Sequence, residues 1–400
     1  MRVSRWFTGL AAALVLMLST AACANDPGTG SGSASETGGA AGQLTEGPTG
    51  ATETAGTEGG SEPTEASSIV PLDQVCEQEY ADVEADEDFK VGLVTDIGSI
   101  DDGTFNQYAF EGMKAAEECF GIETNFIETA NEADYENNLD TIMRDEPDVV
   151  VTVGFLLADA TKKFAEENDD TNFVGVDQFQ EDYGDNYSGV LFREDQGGYL
   201  AGAMAGLLTE SNVVGVVGGR EDVPPVVRLV NGYEAGATAE NPDAEVLKVY
   251  NQSFTDDAKG RSDAEQMLGE GADVIFGAGG QTGSGGIKAA AEDGKWAIGV
   301  DQDEYFTTFD EGAAEGSEFL ATSAIKRVDL GVFQQIAAAI TDEFKGGVFI
   351  LEAANDGITY APFHEADIPP DVATRMEEIR QGLADGSIDT GIDPVTGEPK

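Results

Sequence analysis

One half of this chain is a copy of the other, and no other feature constrains its fold as tightly. The run DVVV at 148–151, a Gly-containing turn, a helical stretch and GVDQ at 175–178 recur as DVIF at 273–276, a Gly-rich turn, a helical stretch and GVDQ at 299–302. The offsets agree: 125 from Asp148 to Asp273, 124 from Asp177 to Asp301 and 123 from Gly92 to Gly215. Chance convergence of short strands does not keep three offsets in step. Around these landmarks, Val/Ile/Leu/Phe runs alternate with amphipathic stretches, the pattern of an α/β fold with parallel sheets. Strands are predicted at 90–95, 124–128, 149–153, 173–177, 213–218, 246–250, 274–277 and 297–301, and helices at 105–120, 158–168, 197–208, 258–268, 285–292 and 327–344. A chain of 400 residues exceeds the ~250–300 that one core serves. The expected architecture is two doubly wound α/β lobes joined by a hinge, with the carboxyl ends of their strands meeting at a shared cleft. The first lobe is assigned to 90–210 and the second to 211–324, with 325–400 shared.

Asp96, Asp177 and Asp301 each follow the last apolar residue of a predicted strand, so the duplication puts carboxylates on both sides of that cleft. Aspartate also makes turns and helix caps without any ligand. Asp101 is read that way, and Thr104 with Gln107 is read as a capping box opening a helix. Asp177 and Asp301, repeated in the two halves, are read as facing a ligand. A carboxylate only accepts hydrogen bonds, which suits vicinal hydroxyls or ring N–H groups. Phe105, Phe254 and Phe276 are candidate faces for a planar ring, each with core packing as the alternative; base–aromatic stacking contributes roughly 1–3 kcal/mol per base. A diol joined to a flat heterocycle describes a nucleoside. The stretch GAGGQTGSGG at 277–286 fits neither the Walker nor the dinucleotide glycine pattern, but its backbone N–H groups, Gly280 among them, can bond a neutral ligand's hydroxyls. His364 is the sole histidine, so no Ser-His-Asp triad or His-rich zinc site can be assembled. No enzyme activity, metal or cofactor is expected.

The chain carries 77 acidic against 21 basic residues, a net charge of −56, which excludes nucleic acid as a partner. Arg2 and Arg5 precede an apolar run at 7–18 and then Ser19-Thr20-Ala21-Ala22-Cys23, a secretory signal over 1–22 that is too short to span a bilayer. Cys23 sits where a bacterial lipobox places the lipidated cysteine; an ordinary signal peptide with an incidental cysteine is the alternative. Residues 24–68 are Gly, Ser, Thr, Ala and Glu with almost no large apolar side chain, and no Lys or Arg occurs between Arg5 and Lys90. Such a segment cannot bury enough surface to fold and repels itself into an extended tether; residues 23–89 are assigned to the lipidated cysteine and tether together. Cys76 and Cys119 remain, and both a bridge and two separate buried thiols fit the sequence.

Several segments together resemble the basic membrane protein family, the lipid-anchored nucleoside-binding subunits of bacterial ABC importers. They are Asp102-Gly-Thr-Phe105-Asn106-Gln107, Gly154-Phe155, Gly175-Val176-Asp177, Asn231-Gly232-Tyr233-Glu-Ala-Gly236, Gly271-Ala-Asp-Val-Ile-Phe276, Gly299-Val300-Asp301 and Thr322-Ser-Ala-Ile-Lys326-Arg327, within 90–361. The resemblance implies a type I periplasmic-binding fold that closes about a hinge. It implies that Phe105 and a second aromatic, Phe254 or Phe276, sandwich a base. Asp177 and the loop from Asp96 through Asp102 to Asn106 would read base edges, Asp301 would hold ribose hydroxyls, and Lys326 would lie nearby. Asp101 stands where the family commonly has Asn, and Leu229 where it often has an aromatic. The expected protein is a monomer held by its lipid at the outer face of the cell membrane, taking up a nucleoside, a purine one first, and passing it to ABC permease subunits. The alternative is a sugar or small-signal receptor of the same fold that feeds a sensor.

Overall fold

Parallel strands require crossover connections, and strands covered on both faces read as unbroken apolar runs. The computed structural model, which describes residues 69–400, is built from such strands. In chain order it contains α1 (Leu72–Glu79), β1 (Lys90–Ile97), α2 (Phe105–Phe120), β2 (Glu123–Thr129), α3 (Tyr135–Ile142), β3 (Val149–Val153), α4 (Ala158–Glu167), β4 (Asn172–Val176) and β5 (Tyr187–Phe192). Then come α5 (Glu194–Leu208), β6 (Val213–Gly218), α6 (Pro224–Glu240), β7 (Glu245–Tyr250), α7 (Asp257–Gly269), β8 (Val274–Ala278), α8 (Gly280–Glu292), β9 (Trp296–Asp301) and β10 (Leu320–Lys326). The chain continues with α9 (Val328–Ile340), β11 (Gly347–Leu351), β12 (Ile358–Tyr360) and α10 (Pro370–Ala384).

Two six-stranded sheets result, ordered β2-β1-β3-β4-β5-β11 and β7-β6-β8-β9-β10-β12. Every pairing is parallel except β10 with β12. The repeat extends to register, since Val91 lies opposite Val149 in one sheet and Val214 opposite Val274 in the other. All eight predicted strands are present. The chain passes between the lobes three times: between β5 and α5, between β10 and α9, and between β11 and β12. The strands place the first passage after Phe192, earlier than the expected boundary at 210, because α5 packs on α6 and against β10 and β12 of the second sheet.

The signal segment, Cys23 and residues 24–68 lie outside the described residues. The described residues include a helix well before residue 90, where the tether was expected to end. Helix α1 packs on α2 and α9, a Cys76–Cys119 disulfide ties it to α2, and Val70 O accepts from Arg327 Nη2 at 3.1 Å.

Two helix pairs meet backbone to backbone. Along α5, a Cβ at Gly198 would fall 2.1 Å from Leu229 O, and one at Gly202 1.9 Å from Tyr233 O, both on α6. Between α7 and α8 the same holds: a Cβ at Gly260 would fall 1.7 Å from Thr282 O, and one at Gly285 2.1 Å from Asp257 O. Within the glycine-rich run at 277–286, Gly285 brings α8 onto α7, Gly277 and Gly283 pack on each other and Gly279 abuts Gly219; α8 begins at Gly280 rather than at 285. Gly202→Ala is expected to destabilise the fold by about 1–3 kcal/mol or more through overpacking. Gly269→Ala, with nothing within 4 Å of its Cβ position, is expected to be neutral or slightly stabilising. Urea unfolding of the two variants checks the contrast.

Candidate functional site

The duplicated GVDQ segments end β4 and β9 in the same conformation. Asp177 and Asp301 take φ values of 60° and 67°, in a left-handed region that Asp and Asn enter more readily than other side chains. Both carboxylates line one cavity between the lobes. The glutamines that follow secure the surroundings. Gln178 Nε2 donates to Gly154 O at 2.9 Å within the first lobe, and Gln302 Nε2 donates across the cleft to Thr104 O at 3.2 Å. Thr307 Oγ1 also crosses, donating to Gly103 O at 2.8 Å, and Arg220 pairs with Glu132. The lobes are in contact at the cleft mouth.

On the first lobe the end of β1 supplies Asp96. Its Oδ1 accepts from Ile97 N at 2.6 Å and from the Tyr135 hydroxyl. Burial nevertheless pushes it up to about 6. Gly154, with φ of 103°, permits the close fit: a Cβ there would lie 2.2 Å from Asp96 Oδ2. Asp102 accepts from Thr104 N (2.9 Å), Gln107 N (3.1 Å), Asn106 N (3.1 Å) and Asn106 Nδ2 (3.0 Å). Asp102 therefore caps α2. Thr104, expected in that role, makes no capping bond with its side chain, because the carboxylate two residues earlier already takes the helix's free N–H groups. Asn106 Oδ1 closes the loop by accepting from Asp96 N at 3.2 Å. Asp101 accepts from Ser99 Oγ at the surface, a turn contact.

On the second lobe, Gly280 opens α8 with φ of 56°, and it lines the cavity beside Gly279 and Gln281. The Phe254 ring lies against Gly219, where a Cβ would fall 2.3 Å from the ring. Val226 and Leu229 of α6 and, from the first lobe, Phe105 and Phe155 give the cavity its apolar lining. Phe276 is not in the cleft. It lies inside β8, two residues before the strand's end, fully buried and stacked on Tyr233 of α6 with centroids 5.3 Å apart. Core packing was the right reading for that ring.

Lys326 joins the halves from the second passage between lobes. Its Nζ donates to Asp177 Oδ2 at 2.6 Å and stands 3.2 Å from Glu194 Oε1. It also lies 4.9 Å from the Phe105 ring centroid and 4.8 Å from that of Phe192, within cation–π range. Burial alone would pull the ammonium down, but Asp177, Glu194 and Asp301 outweigh it and hold the pKa above its ordinary value. Asp177 is nonetheless pushed up to about 6, because burial dominates and Lys326 is shared with Glu194. Asp301 is pushed up to about 7 by burial, with Asp177 and Asp102 adding repulsion. Behind it Glu304 accepts from Ser284 Oγ, Thr308 Oγ1 and Val300 N and is also raised by burial to about 7. Asp177 Oδ1 is buried and has no partner, and the Asp301 carboxylate accepts no hydrogen bond from the described residues. The cavity thus offers apolar ring faces and free acceptors, with a single ammonium.

The site brings together Asp96, Asp102, Phe105, Asn106, Asp177, Phe254, Gly280, Asp301 and Lys326 of the residues singled out from sequence. It adds Phe155, Val226 and Leu229, and behind them the buried pair Glu194 and Arg228. Helix α6 was not predicted; its signal was Pro224-Pro225 at a helix start, followed by the periodic Val226, Leu229, Val230 and Tyr233.

Residues 89–367 match the family described as ABC transporter substrate-binding protein, PnrA-like. The chain belongs to the Bmp family. It is 35% identical over 319 residues to a CD4+ T-cell-stimulating antigen of Listeria monocytogenes, covering 75% of this chain and 87% of that protein. It is 33% identical over 289 residues to the ABC transporter nucleoside-binding protein BmpA of Lactococcus lactis, covering 68% and 80%. A solute-binding protein of an ABC transporter system from Aeropyrum pernix superposes with a TM-score of 0.66 at 25% identity, over 75% of this chain and 92% of that one. Members of the Bmp family are substrate-binding proteins that work with permease components, not enzymes. As such a subunit of an importer the protein acts outside the cytoplasm. Among the described residues no helix is long and apolar enough to cross a membrane.

The raised carboxylates make ligand-free stability depend on pH. Asp301 binds its proton more tightly folded than unfolded, so its contribution is complete below about pH 4, the unfolded value, and is lost as pH rises through about 7. Asp301→Asn, neutral at every pH, is expected to unfold at a higher temperature than the parent by a margin that grows from pH 4 to 7 and then levels off at several degrees. Thermal unfolding of both proteins without ligand measures it; a margin independent of pH contradicts the assignment.

Proposed function

We propose that the protein captures nucleosides, purine nucleosides first, and delivers them to an ABC permease while held to the membrane by a lipid on Cys23. The observation that carries this reading is one cavity lined by rings from opposite lobes, Phe105 and Phe254, together with Asp177 Oδ1 and the Asp301 carboxylate, to which none of the described residues donates. A base fits between ring faces, and its N–H edge and the ribose hydroxyls are the donors such carboxylates need. Asp177, with Asp96 and Asn106 near it, takes the base edge; Asp301 takes the sugar. Four cavity carboxylates, Asp96, Asp102, Asp177 and Asp301, stand against the one ammonium of Lys326, so a phosphate group is repelled. The Lactococcus relative named as nucleoside-binding supports the same ligand class. Uptake proceeds by closure, since a ligand that contacts both lobes favours the closed population.

Thermal shift or calorimetry with guanosine, inosine, adenosine, pyrimidine nucleosides, ribose and nucleoside monophosphates tests the ligand. Purine nucleosides at about 100 times their Kd are expected to stabilise by roughly 2.7 kcal/mol, with no response to ribose or monophosphates. A response to ribose equal to that for nucleosides would establish the sugar receptor instead. Asp301→Ala is expected to weaken ribonucleosides tenfold or more and their dideoxy analogues far less; equal losses remove Asp301 from the sugar. Cys23→Ser is expected to move the protein from the membrane fraction to the soluble one.

A further inference from the structure

Arg228 does not line the cavity, yet it is buried directly behind it, between Val226 and Leu229 of α6, which do. Its Nε donates to Glu194 Oε2 at 2.6 Å, and its Nη1 donates to Val395 O at 3.1 Å. Val395 belongs to a hairpin at 389–400, beyond the family-matched residues. Ile392 bridges Pro399, Asp393 N donates to Glu398 O at 2.8 Å, and Lys400 Nζ donates to Asp389 at 2.7 Å. This hairpin is seated on the first passage between the lobes. Thr390 Oγ1 donates to Asp195 Oδ2 at 2.6 Å, Asn231 Nδ2 donates to Gly397 O at 2.8 Å, and Ile392 is buried.

The charges form a row, Asp177, Lys326, Glu194, Arg228, alternating in sign. Lys326 faces Asp177 and Glu194 directly, Asp301 at longer range, and the rings of Phe105 and Phe192. Arg228 faces Glu194 directly, with Asp177 and Asp195 further off. Glu194 is wholly buried, and a buried carboxylate stays ionised only beside a matching charge. We propose that Arg228, braced by the 389–400 hairpin, is a positioning residue of the ligand cleft: it neutralises Glu194 so that Lys326 remains on Asp177. Without it Glu194 draws the ammonium to itself. Asp177 then takes up a proton, and an acceptor on the cavity floor becomes a donor.

The inference rests on the nucleoside reading only in its ligand arm, so the primary test uses the ligand-free full chain. Carboxyl 13C NMR follows the Asp177 titration, assigned with Asp177→Asn. Arg228→Met is expected to raise the Asp177 midpoint by one pH unit or more. Adding Glu194→Gln to Arg228→Met removes the charge that Arg228 answers and is expected to return the midpoint to the parent value. An unchanged midpoint in Arg228→Met overturns the proposal, as does a rise that the double variant fails to reverse. Should Arg228→Met not fold, the double variant decides alone: a parent-like midpoint supports the row, and a raised one overturns it. Asn231→Ala with Thr390→Val is expected to give a smaller rise of the same sign; no rise removes the hairpin from the mechanism. Guanosine affinity is expected to fall at least tenfold in Arg228→Met and to recover in the double variant. A parent protein that binds no nucleoside overturns the nucleoside reading, while the carboxyl titration still judges the charge row.

Discussion

The ammonium of Lys326 is the point on which the cleft depends. It is fixed by backbone at the end of β10, where the chain leaves one lobe for the other, and its two carboxylate contacts come from different parts of the fold. Asp177 ends a strand of the first lobe, and Glu194 opens the helix that follows the first passage. A buried ion pair is weak evidence of stability, since desolvation consumes most of the Coulombic gain. Removing one partner is costly, however, because the other is then buried without compensation. A shared ammonium therefore works less as a rivet than as a constraint: it ties the positions of two lobes and one crossing to the ionisation of two acids.

That constraint rests in turn on glycine. Glu194 begins α5 and Arg228 lies on α6, and the pair meets only because these helices touch at backbone distance. Gly198 sits against Leu229 O, one residue from Arg228, and Gly232 of α6 sits against Asp195 O, one residue from Glu194. Any side chain at either position would part the helices and draw the two charges away from each other. Small residues here do for electrostatic geometry what they usually do for packing alone.

The legible part of the sequence was the part governed by periodicity and by repetition. Unbroken Val-rich runs mark β1, β3, β4, β6, β8 and β9, and the recurrence of GVDQ points to Asp177 and Asp301, since two copies of an unusual strand end are hard to explain by turns alone. Other elements were hidden for physical reasons. The start of α8 is so rich in glycine that it reads as loop, because the requirement for close contact overrode helix propensity. Strands β10, β11 and β12 depend on pairing with distant segments, which local pattern does not record. Phe276 is read as a ring for a ligand because it lies near the end of the predicted strand 274–277; that it turns to Tyr233 of α6 depends on a helix the local pattern did not reveal. Thr104 lost the cap of α2 to Asp102 for a similar reason: both sit before the helix, and only the turn of the loop decides which oxygen meets the free N–H groups.

The proposed closure has an electrostatic logic. Bringing the lobes together crowds Asp96, Asp102, Asp177 and Asp301 around one cation and removes them from water, which is why burial raises each of them above its ordinary value. The direct contacts across the mouth are the Thr307 and Gln302 hydrogen bonds to main-chain carbonyls, each contributing only about 0.5–1.5 kcal/mol net, and the Arg220–Glu132 pair, whose exposed carboxylate limits it to about 0–1 kcal/mol. Against several raised carboxylates this leaves the empty closed state poorly favoured. A ligand that brings donors to the free oxygens of Asp177 and Asp301 reverses the balance, because charge-assisted hydrogen bonds are the strong kind and form only when both lobes are in place. The same carboxylates that make the empty cleft reluctant to shut thus supply the differential affinity that a binding-driven closure requires.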